Sequence, residues 1–423
     1  MGKIILSDII KKNNTIEYDF FATEDISCFF SIEKNFIIEY PENIESVPNS
    51  IAAIPFVCNV LPIVWLTNSV LHLEELDMSF HNCIPNVRGG FEKMFPESCF
   101  AGKIVADRLV KCDIPATGGS LAFFSGGLDA VHTLLSHLHE KPSLISIWGA
   151  DISCENKEGW KIVHDGIGKY AEKYSLEDVV IRSSFRTFDN EALLDKTFSE
   201  QLKDGWWHGI KHGIGLLGHA APYAYLHGIS NVYIASSNCP ADGPVRCSSN
   251  PLTDNHVRYA NAKVVHDGFE CSRQDKVRNV VNYVEHTGDQ VSLHVCWESQ
   301  TGSNCCKCEK CYRTMMGLIA EGADPVDYGF VYTRSTIQNL QRYLVDHCRS
   351  TVVLQKQWTH IQKSAIRNKL ALKKHPDWKH VKWILKVDFW HPETLKRPMS
   401  IREKLSYYKF YQLLHKMKVK LHG

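Results

Sequence analysis

The stretch Leu121–Ala130, which reads LAFFSGGLDA, has the residue types of an anion-binding turn. Its first four residues, Leu121–Phe124, are apolar and predict a buried parallel strand. Gly126 and Gly127 follow, and glycine allows both a sharp turn and a close approach of the backbone to a ligand. Apolar residues then recur at helical spacing from Leu128, so we expect a helix to begin there.

A strand, a glycine turn and a helix N-terminus together form a site for phosphate, because bare N–H groups and the positive end of the helix dipole meet at one point. Ser125 adds a hydroxyl donor at this point. Asp129, in the first helical turn, is suited to hold a divalent cation against phosphates. A plain turn between two elements is the alternative for a Gly-Gly pair.

A cluster of cysteines near residue 300, within CWESQTGSNCCKCEKCYRT, is the second chemical signal. Cys296, Cys305, Cys308 and Cys311 are spaced C-x8-C-x2-C-x2-C, and four thiolates this close fit one tetrahedral Zn²⁺. Cys306 lies within the run and is interpreted as a spare, because its neighbours are better spaced. No Cys-Pro follows Cys311, which favours zinc over an iron–sulfur cluster. Because protein fills all four positions, we expect a structural ion.

Residues Ser125–Ala130 resemble the SGGxD[ST] loop of the PP-loop ATP pyrophosphatases, also called the adenine nucleotide alpha-hydrolase-like superfamily. With the cysteine pattern far downstream, the chain is similar to the 7-cyano-7-deazaguanine synthases of that superfamily. The resemblance covers Ser120 to Leu318, about half of the chain. Ala130 departs from the family pattern, since it replaces the final hydroxyl residue and lacks one phosphate contact.

The resemblance implies an ATP-dependent ligase or synthase that forms AMP and pyrophosphate, with ATP, Mg²⁺ and Zn²⁺ as cofactors. A carboxylate or amide oxygen of a small-molecule substrate would attack the α-phosphorus of ATP, and ammonia or an amine would then attack the adenylated product. Ser125 and the N–H groups of Gly126, Gly127 and Leu128 would bind the leaving pyrophosphate, and Mg²⁺ would lie near Asp129.

Other candidate site residues lie between the two motifs. Trp148, Ser236 and Ser237 end predicted strands, at the edge of the sheet where a nucleotide would rest; polar strand caps are the alternative for the serines. Arg273 and Lys276 stand three apart at a predicted helix start. Cations oppose the dipole there, which favours a role in reaching the triphosphate over a solvated face.

Two further sets of polar residues lie between the two motifs. Asp254 and Arg258 belong to a long polar loop, which is either a lid or a surface excursion. His208, His212 and His219 fall on one helical stripe. No acidic residue completes a metal site near them, so we interpret them as core or pocket-lining residues. The glycines among them favour a helix packed tightly against the sheet.

Two other functions stay open from the sequence. One is a tRNA-modifying PP-loop enzyme of the thiolase kind, although no second C-x2-C pair supplies a reactive cysteine. The other is a non-catalytic, nucleotide-binding and zinc-stabilised interaction module, which Ala130 favours.

Charge is unevenly spread along the 423 residues, whose net charge is +1. From Val352 to Gly423 there are 17 Lys and Arg against 4 Asp and Glu, with tryptophans and tyrosines among them. Such a region suits nucleic acid or an anionic surface. The alternative is a helical cap with aromatic residues inside and solvated lysines outside.

The uncharged stretch Ile51–Leu71 is long enough to span a membrane. Pro55 and Pro62 interrupt it, so we expect two short buried elements and no transmembrane segment. Fifteen cysteines without an export signal indicate a reducing compartment, the cytoplasm.

An α/β fold is expected, with an alternation of strands and helices from Ser120. It predicts a parallel sheet of five to six strands with helices on both faces, the HUP type of PP-loop proteins. The predicted strands are 121–124, 144–148, 179–181, 232–235, 263–265 and 292–295, preceded by N-terminal runs at 16–21, 26–32 and 36–40. We expect three domains: a β-rich domain at 1–115, the ATP-binding domain with its zinc site at 116–323, and a helical basic region at 324–423.

Overall fold

A mixed sheet of eleven strands forms the centre of the computed structural model, which describes residues 1–33, 35–112, 117–347 and 351–391. Within these residues the strands are β1 (Lys3–Lys12), β2 (Thr15–Ala22), β3 (Phe36–Glu39), β4 (Val70–Asp77), β5 (Lys103–Val110), β6 (Ser120–Phe123), β7 (Ser143–Trp148), β8 (Asp178–Ser183), β9 (Asn231–Ala235), β10 (Arg258–Tyr259) and β11 (Ala262–Asp267). The predicted α/β class is confirmed.

Helices connect most of the strands and form the C-terminal part of the described chain. They are α1 (Glu24–Ser27), α2 (Asn49–Ala52), α3 (Ile54–Leu66), α4 (Met78–Met94), α5 (Leu128–His137), α6 (Lys157–Tyr174), α7 (Glu191–Leu202), α8 (His212–Leu226), α9 (Pro251–Asp254), α10 (Arg273–Thr287), α11 (Glu309–Glu321), α12 (Arg334–His347), α13 (Val352–Arg367), α14 (Lys369–Lys374) and α15 (Trp378–Val381). A π-helical turn, Trp207–Lys211, runs directly into α8.

The order of the strands reverses direction beside β6. Side by side, the order is β10-β11-β9-β6-β7-β8-β3-β2-β1-β4-β5. The strands β11, β9, β6, β7 and β8 are parallel to one another. From β6 the chain moves to β7 and β8 on one side, and later to β9 and β11 on the other. This switch between β6 and β9 is where open α/β sheets bind ligands.

The N-terminal strands continue the same sheet. β3 pairs antiparallel with β8 through Ile38↔Ser183 and Glu39↔Arg182, and β2 and β1 follow in antiparallel order. The expected sheet of five to six parallel strands is therefore part of a larger mixed sheet. The domain boundaries at residues 115 and 323 stay predictions.

Two of the predicted strands are wrong. The run 26–32 begins within α1 and contributes a single bridge at Phe30. The run 292–295 is not a strand of the described sheet, because its partner is a turn: the N–H of His294 donates to the carbonyl oxygen of Gly126 at 2.8 Å. The other predicted runs overlap β2, β3, β6, β7, β8, β9 and β11.

Two apolar cores lie on opposite faces of the sheet. Leu144 and Ile145 are successive residues of β7, so their side chains point to opposite faces, and each belongs to a different core. One core packs the sheet against α2, α3, α4, α7 and α8, and the other packs it against α5, α6, α10, α11 and the C-terminal helices.

Two glycines of α8, Gly215 and Gly218, face another helix instead of the sheet. A Cβ at Gly218 would lie 2.7 Å from Cβ of Cys58, and one at Gly215 would lie 2.8 Å from Oδ1 of Asn59. Both partners belong to α3, so the glycines allow α3 and α8 to pack closely. The prediction that these glycines pack the helix against the sheet is therefore wrong, because their close contacts are with α3.

The uncharged stretch forms α3 and the start of β4, and all residues of α3 except Leu66 are buried. No helix in the described ranges is long and apolar enough to cross a membrane. In the basic region, Trp358 is fully buried and packs with α11, whereas residues from 392 onward lie outside the described chain.

Candidate functional site

A cavity of about 320 Å³ lies at the carboxyl ends of β6, β7 and β9. The loop before α5, the turn after β7 and the residues after β9 form its wall. These strands flank the point where the strand order reverses. The cavity is therefore where this topology predicts a ligand site.

The loop between β6 and α5 forms one side of the cavity, which Ser125, Gly127 and Asp129 line. Gly126 has a φ of +71°, in the left-handed region that favours glycine. Its carbonyl oxygen accepts the hydrogen bond from His294, so the segment before the cysteine cluster holds the turn in place.

The first turn of α5 offers main-chain donors. The helix begins at Leu128, and no side chain of the described residues caps it. The N–H of Gly127 donates to Oγ of Ser125 at 3.4 Å, while the N–H groups of the next residues lack intrahelical partners. Free N–H groups at the positive end of a helix dipole favour an anion in the cavity.

Asp129 is buried between two cations from α10. Nη1 of Arg273 donates to its Oδ2, and Nζ of Lys276 lies 3.6 Å from its Oδ1. Burial disfavours the charged carboxylate, but the positive charges of Arg273, Lys276 and Lys310 outweigh it and hold the pKa of Asp129 well below its usual range. Lys276 also donates to the main-chain oxygen of Ser236, at the end of β9. Arg273 and Lys276 thus lie behind Asp129, and neither lines the cavity.

Lys310 is a cation on the cavity wall that no sequence pattern pointed to. Burial and the charge of Arg273 lower its pKa. Its position in the sequence between Cys308 and Cys311 could have pointed to it, because a metal ion that fixes those two cysteines also fixes the backbone of Lys310. Asp151, after β7, is exposed on the same wall.

The four predicted cysteine ligands converge. The Sγ atoms of Cys296, Cys305, Cys308 and Cys311 all lie within 4.8 Å of one another. Sγ of Cys296 is 3.9 Å from that of Cys308, and Sγ of Cys305 is 3.9 Å from that of Cys311. A tetrahedral ion with Zn–S bonds of about 2.3 Å requires S···S separations of about 3.8 Å. The spacing fits zinc.

Main-chain donors support these thiolates. The N–H of Cys308 donates to Sγ of Cys305 at 3.3 Å, and the N–H of Cys311 donates to Sγ of Cys308 at 3.5 Å. Such contacts orient ligands and stabilise their charge, and hydrogen bonding from Cys311 lowers the pKa of Cys308 to about 6. Cys306 instead directs its thiol to the carbonyl oxygen of Asn304 and is not part of the group.

The residues predicted at strand ends differ in orientation. Ser237 lines the cavity, whereas Ser236 is buried and its Oγ donates to the carbonyl oxygen of Asn238 at 2.6 Å. Trp148 stacks on Trp160 with ring centroids 5.5 Å apart. Trp160, not Trp148, faces the cavity.

Asp254 and Arg258 have structural contacts. Asp254 accepts hydrogen bonds from Nδ1 of His266 at 2.8 Å and from Oγ of Ser249 at 2.7 Å. Arg258 donates to the carbonyl oxygen of Asn255. These contacts fix the loop after β9, and neither residue lines the cavity.

The three histidines separate into different environments. His219 is buried, with Nε2 2.8 Å from Oγ of Ser183. His212 lines the cavity, and His208 pairs with Asp204 at 2.5 Å. The core and pocket-lining interpretation fits the first two.

The cavity thus combines an uncapped helix N-terminus, the ammonium group of Lys310 and a Cys₄ group directly beside it. Comparison with protein families, curated proteins and solved structures gives no match to this chain. The function is therefore inferred from the geometry and chemistry of the site.

Proposed function

We propose that this protein is an ATP-dependent synthase of the PP-loop type, with β11, β9, β6, β7 and β8 as its HUP-type sheet. It adenylates a carboxylate or amide oxygen of a small-molecule substrate and releases pyrophosphate, after which ammonia or an amine displaces AMP. The observation that carries this proposal is the segment 125–129, which lines a cavity at the strand switch point and directs an uncapped helix N-terminus toward it.

Charge stabilisation on the leaving group would be the main catalytic term. Negative charge grows on the pyrophosphate oxygens as the bond to the α-phosphorus breaks. Ser125, the first residues of α5 and Lys310 line the cavity, so their hydroxyl, N–H and ammonium groups would be the donors to that charge.

A revised assignment for Mg²⁺ follows from the charges. Asp129 is already paired with Arg273 and Lys276, so it serves to position the loop. Asp151 is exposed on the cavity wall and is the better carboxylate for the ion. Mg²⁺ held there would neutralise phosphate charge.

The opposite wall supports binding of a flat, apolar group. Trp160, Ile147 and Ile152 line it, and pockets of this composition bury adenine rings or planar substrates while a few polar groups fix their orientation. A small aromatic or heteroaromatic acid or amide is a planar acceptor that fits such a wall.

Exchange of pyrophosphate into ATP tests this function. The full-length protein is incubated with ATP, Mg²⁺, radiolabelled pyrophosphate and a panel of heteroaromatic carboxylic acids and their amides. Label entering ATP in the presence of one acid, with AMP as the nucleotide product, is the expected result. Release of ADP and phosphate in place of AMP and pyrophosphate would contradict the proposal.

A nucleotide-binding module without turnover is the second candidate, and Ala130 favours it. Ala130 lines the cavity at the place where the PP-loop pattern carries a hydroxyl group. Calorimetric binding of ATP, with no exchange for any acid of the panel, would support this function over the first.

A further inference from the structure

A second group that could react lines the same cavity. Cys247, in the loop after β9, is 5% exposed to solvent and lines the cavity together with His212. Its Sγ lies 3.9 Å from Nε2 of His212. The two residues are 35 positions apart, so no local motif joins them.

The imidazole of His212 is held in one tautomer. Its Nδ1 is 3.2 Å from the main-chain oxygen of Trp207. A carbonyl oxygen can only accept, so in the neutral ring Nδ1 carries the hydrogen and Nε2 is the atom that can take the thiol proton of Cys247. A nucleophile, a base and a third group that orients the base are the parts of covalent catalysis by cysteine.

Electrostatics favour the thiolate at this position. Burial raises the pKa of Cys247, but the charge of His212 and hydrogen bonding from His208 and His212 outweigh burial and lower the pKa to about 6. Cys239 starts the same loop and is equally buried, yet burial and the charge of Asp242 raise its pKa. The environment of Cys247 is therefore specific to its place beside the histidines.

The backbone on both sides of the pair is anchored. The N–H of Gly213 donates to Oγ of Ser248 at 2.9 Å, and the N–H of Ser248 donates to the carbonyl oxygen of His208 at 2.9 Å. A Cβ at Gly213 would lie 2.5 Å from the carbonyl oxygen of Ser248. The loop that carries Cys247 is thus docked on the turn that carries His212.

We propose that Cys247 and His212 form a nucleophile and base that take the substrate's acyl group as a thioester before the amine attacks. The source of the activated acyl group rests on the proposed adenylation, whereas the thiol–imidazole pair itself does not. The ligand class is an acyl group whose carboxyl carbon bears a good leaving group.

The acyl group is transferred twice, first to sulfur and then to nitrogen. His212 takes the thiol proton at Nε2, the thiolate forms a bond to the acyl carbon, and the bond from that carbon to the phosphate oxygen breaks as AMP leaves with its electron pair. Ammonia or an amine then forms the C–N bond and gives up one N–H proton to water, the C–S bond breaks, and the thiol regains the proton from His212. No redox partner is required.

An activated ester tests the pair without ATP. The full-length protein is treated with p-nitrophenyl acetate at pH 7, and acetylated cysteines are located and timed by peptide mass spectrometry. Acetyl transfer to Cys247 releases p-nitrophenolate by the same bond changes. We expect Cys247 to react about tenfold faster than Cys239, because most of its thiol is ionised at this pH.

Three variants identify the roles. Cys247→Ser removes the fast phase of p-nitrophenolate release. His212→Asn keeps a donor for the carbonyl oxygen of Trp207 but lacks Nε2, so the reaction at Cys247 slows at least about tenfold. The matched control Cys239→Ser leaves the fast phase unchanged.

The rate at Cys247 relative to the other cysteines decides whether it is the activated nucleophile. Reaction at Cys247 no faster than at Cys239, or fast reaction confined to exposed Cys28 and Cys99, would overturn the proposal. Acetylation of Cys247 without any ATP–pyrophosphate exchange would keep the nucleophile and refute the proposed adenylation. ATP–pyrophosphate exchange without reaction at Cys247 would support the adenylation and refute the nucleophile.

Discussion

The charges around the loop 125–129 form two layers that differ in accessibility. Lys310 lies on the cavity wall, whereas Arg273 and Lys276 are buried behind Asp129 and paired with its carboxylate. The two layers predict different results for substitutions, since the outer charge meets a ligand and the inner charges hold the fold.

Lys310→Met removes the outer charge and keeps the length of the side chain. We expect kcat/KM of ATP–pyrophosphate exchange to fall about 100-fold, because a preorganised donor to the leaving group is lost. Thermal unfolding stays near that of the wild type. The matched control is Lys307→Met, an exposed lysine of the same cysteine run, and equal losses in both variants would refute the role of Lys310.

Asp129→Asn leaves two buried cations without a counter-charge. We expect the free energy of unfolding in urea at pH 7 to fall by about 3–5 kcal/mol. Because the native pKa of Asp129 lies below its unfolded value, its stabilisation is present above about pH 4 and is lost as the pH falls toward the native pKa. Stability of the wild type therefore declines more steeply below pH 4 than that of the variant.

The control for this substitution is an exposed ion pair. Asp165 accepts from Lys161 at 2.6 Å on the surface of α6, and Asp165→Asn should leave the urea transition unchanged because exposed pairs contribute little. A similar loss of unfolding free energy in both variants would show that burial does not make the ion pairs of Asp129 more important than an exposed pair.

Local spacing made some of these residues predictable and left others hidden. The glycine turn and the four cysteines are short runs whose chemistry depends on neighbours in sequence. Cys247 meets His212 only because a long loop folds back on α8. The strand pattern predicts Trp148 at the cavity, but Trp160 lines it, because the sequence does not reveal which of two stacked rings faces a cavity.

At the scale of elements, close packing explains the glycines at the start of α8. Gly213→Ala should lower the free energy of unfolding by about 1–3 kcal/mol, because its Cβ would overlap the carbonyl oxygen of Ser248. Gly166→Ala, on the exposed face of α6 with nothing within 4 Å of the new Cβ, should raise it by about 0.5–1 kcal/mol. Urea unfolding of both variants checks the opposite signs.

The cysteine run connects metal binding to α11. The purified protein should retain about one zinc ion per chain by elemental analysis, and Cys308→Ser should lose it, because Cys308 is both a ligand and the N-cap of α11. Exchange activity should fall with the zinc content as Lys310 loses its position. Cys306→Ser is the matched control and should keep the metal; iron in place of zinc would contradict the assignment.

At the scale of the whole molecule, the sequence predicted where the strands around the cavity lie better than how all the strands pair into one sheet. Apolar runs after Ser120 are strong local signals, and five of the six predicted strands there overlap real ones. The run 292–295 has the same composition, but its partner is a glycine turn. Pairing of β3 with β8 joins residues more than 140 positions apart, and no local pattern records such a register.

That pairing gives the first third of the chain a protective role. β8 has β7 on one side and β3 on the other. A fragment that begins at the predicted boundary near residue 115 would lack β3. One edge of β8 would then expose unpaired amide and carbonyl groups, with which strands of other molecules could pair. The N-terminal strands thus cover the flank of β8 and protect the half of the sheet that carries the cavity from pairing with other chains.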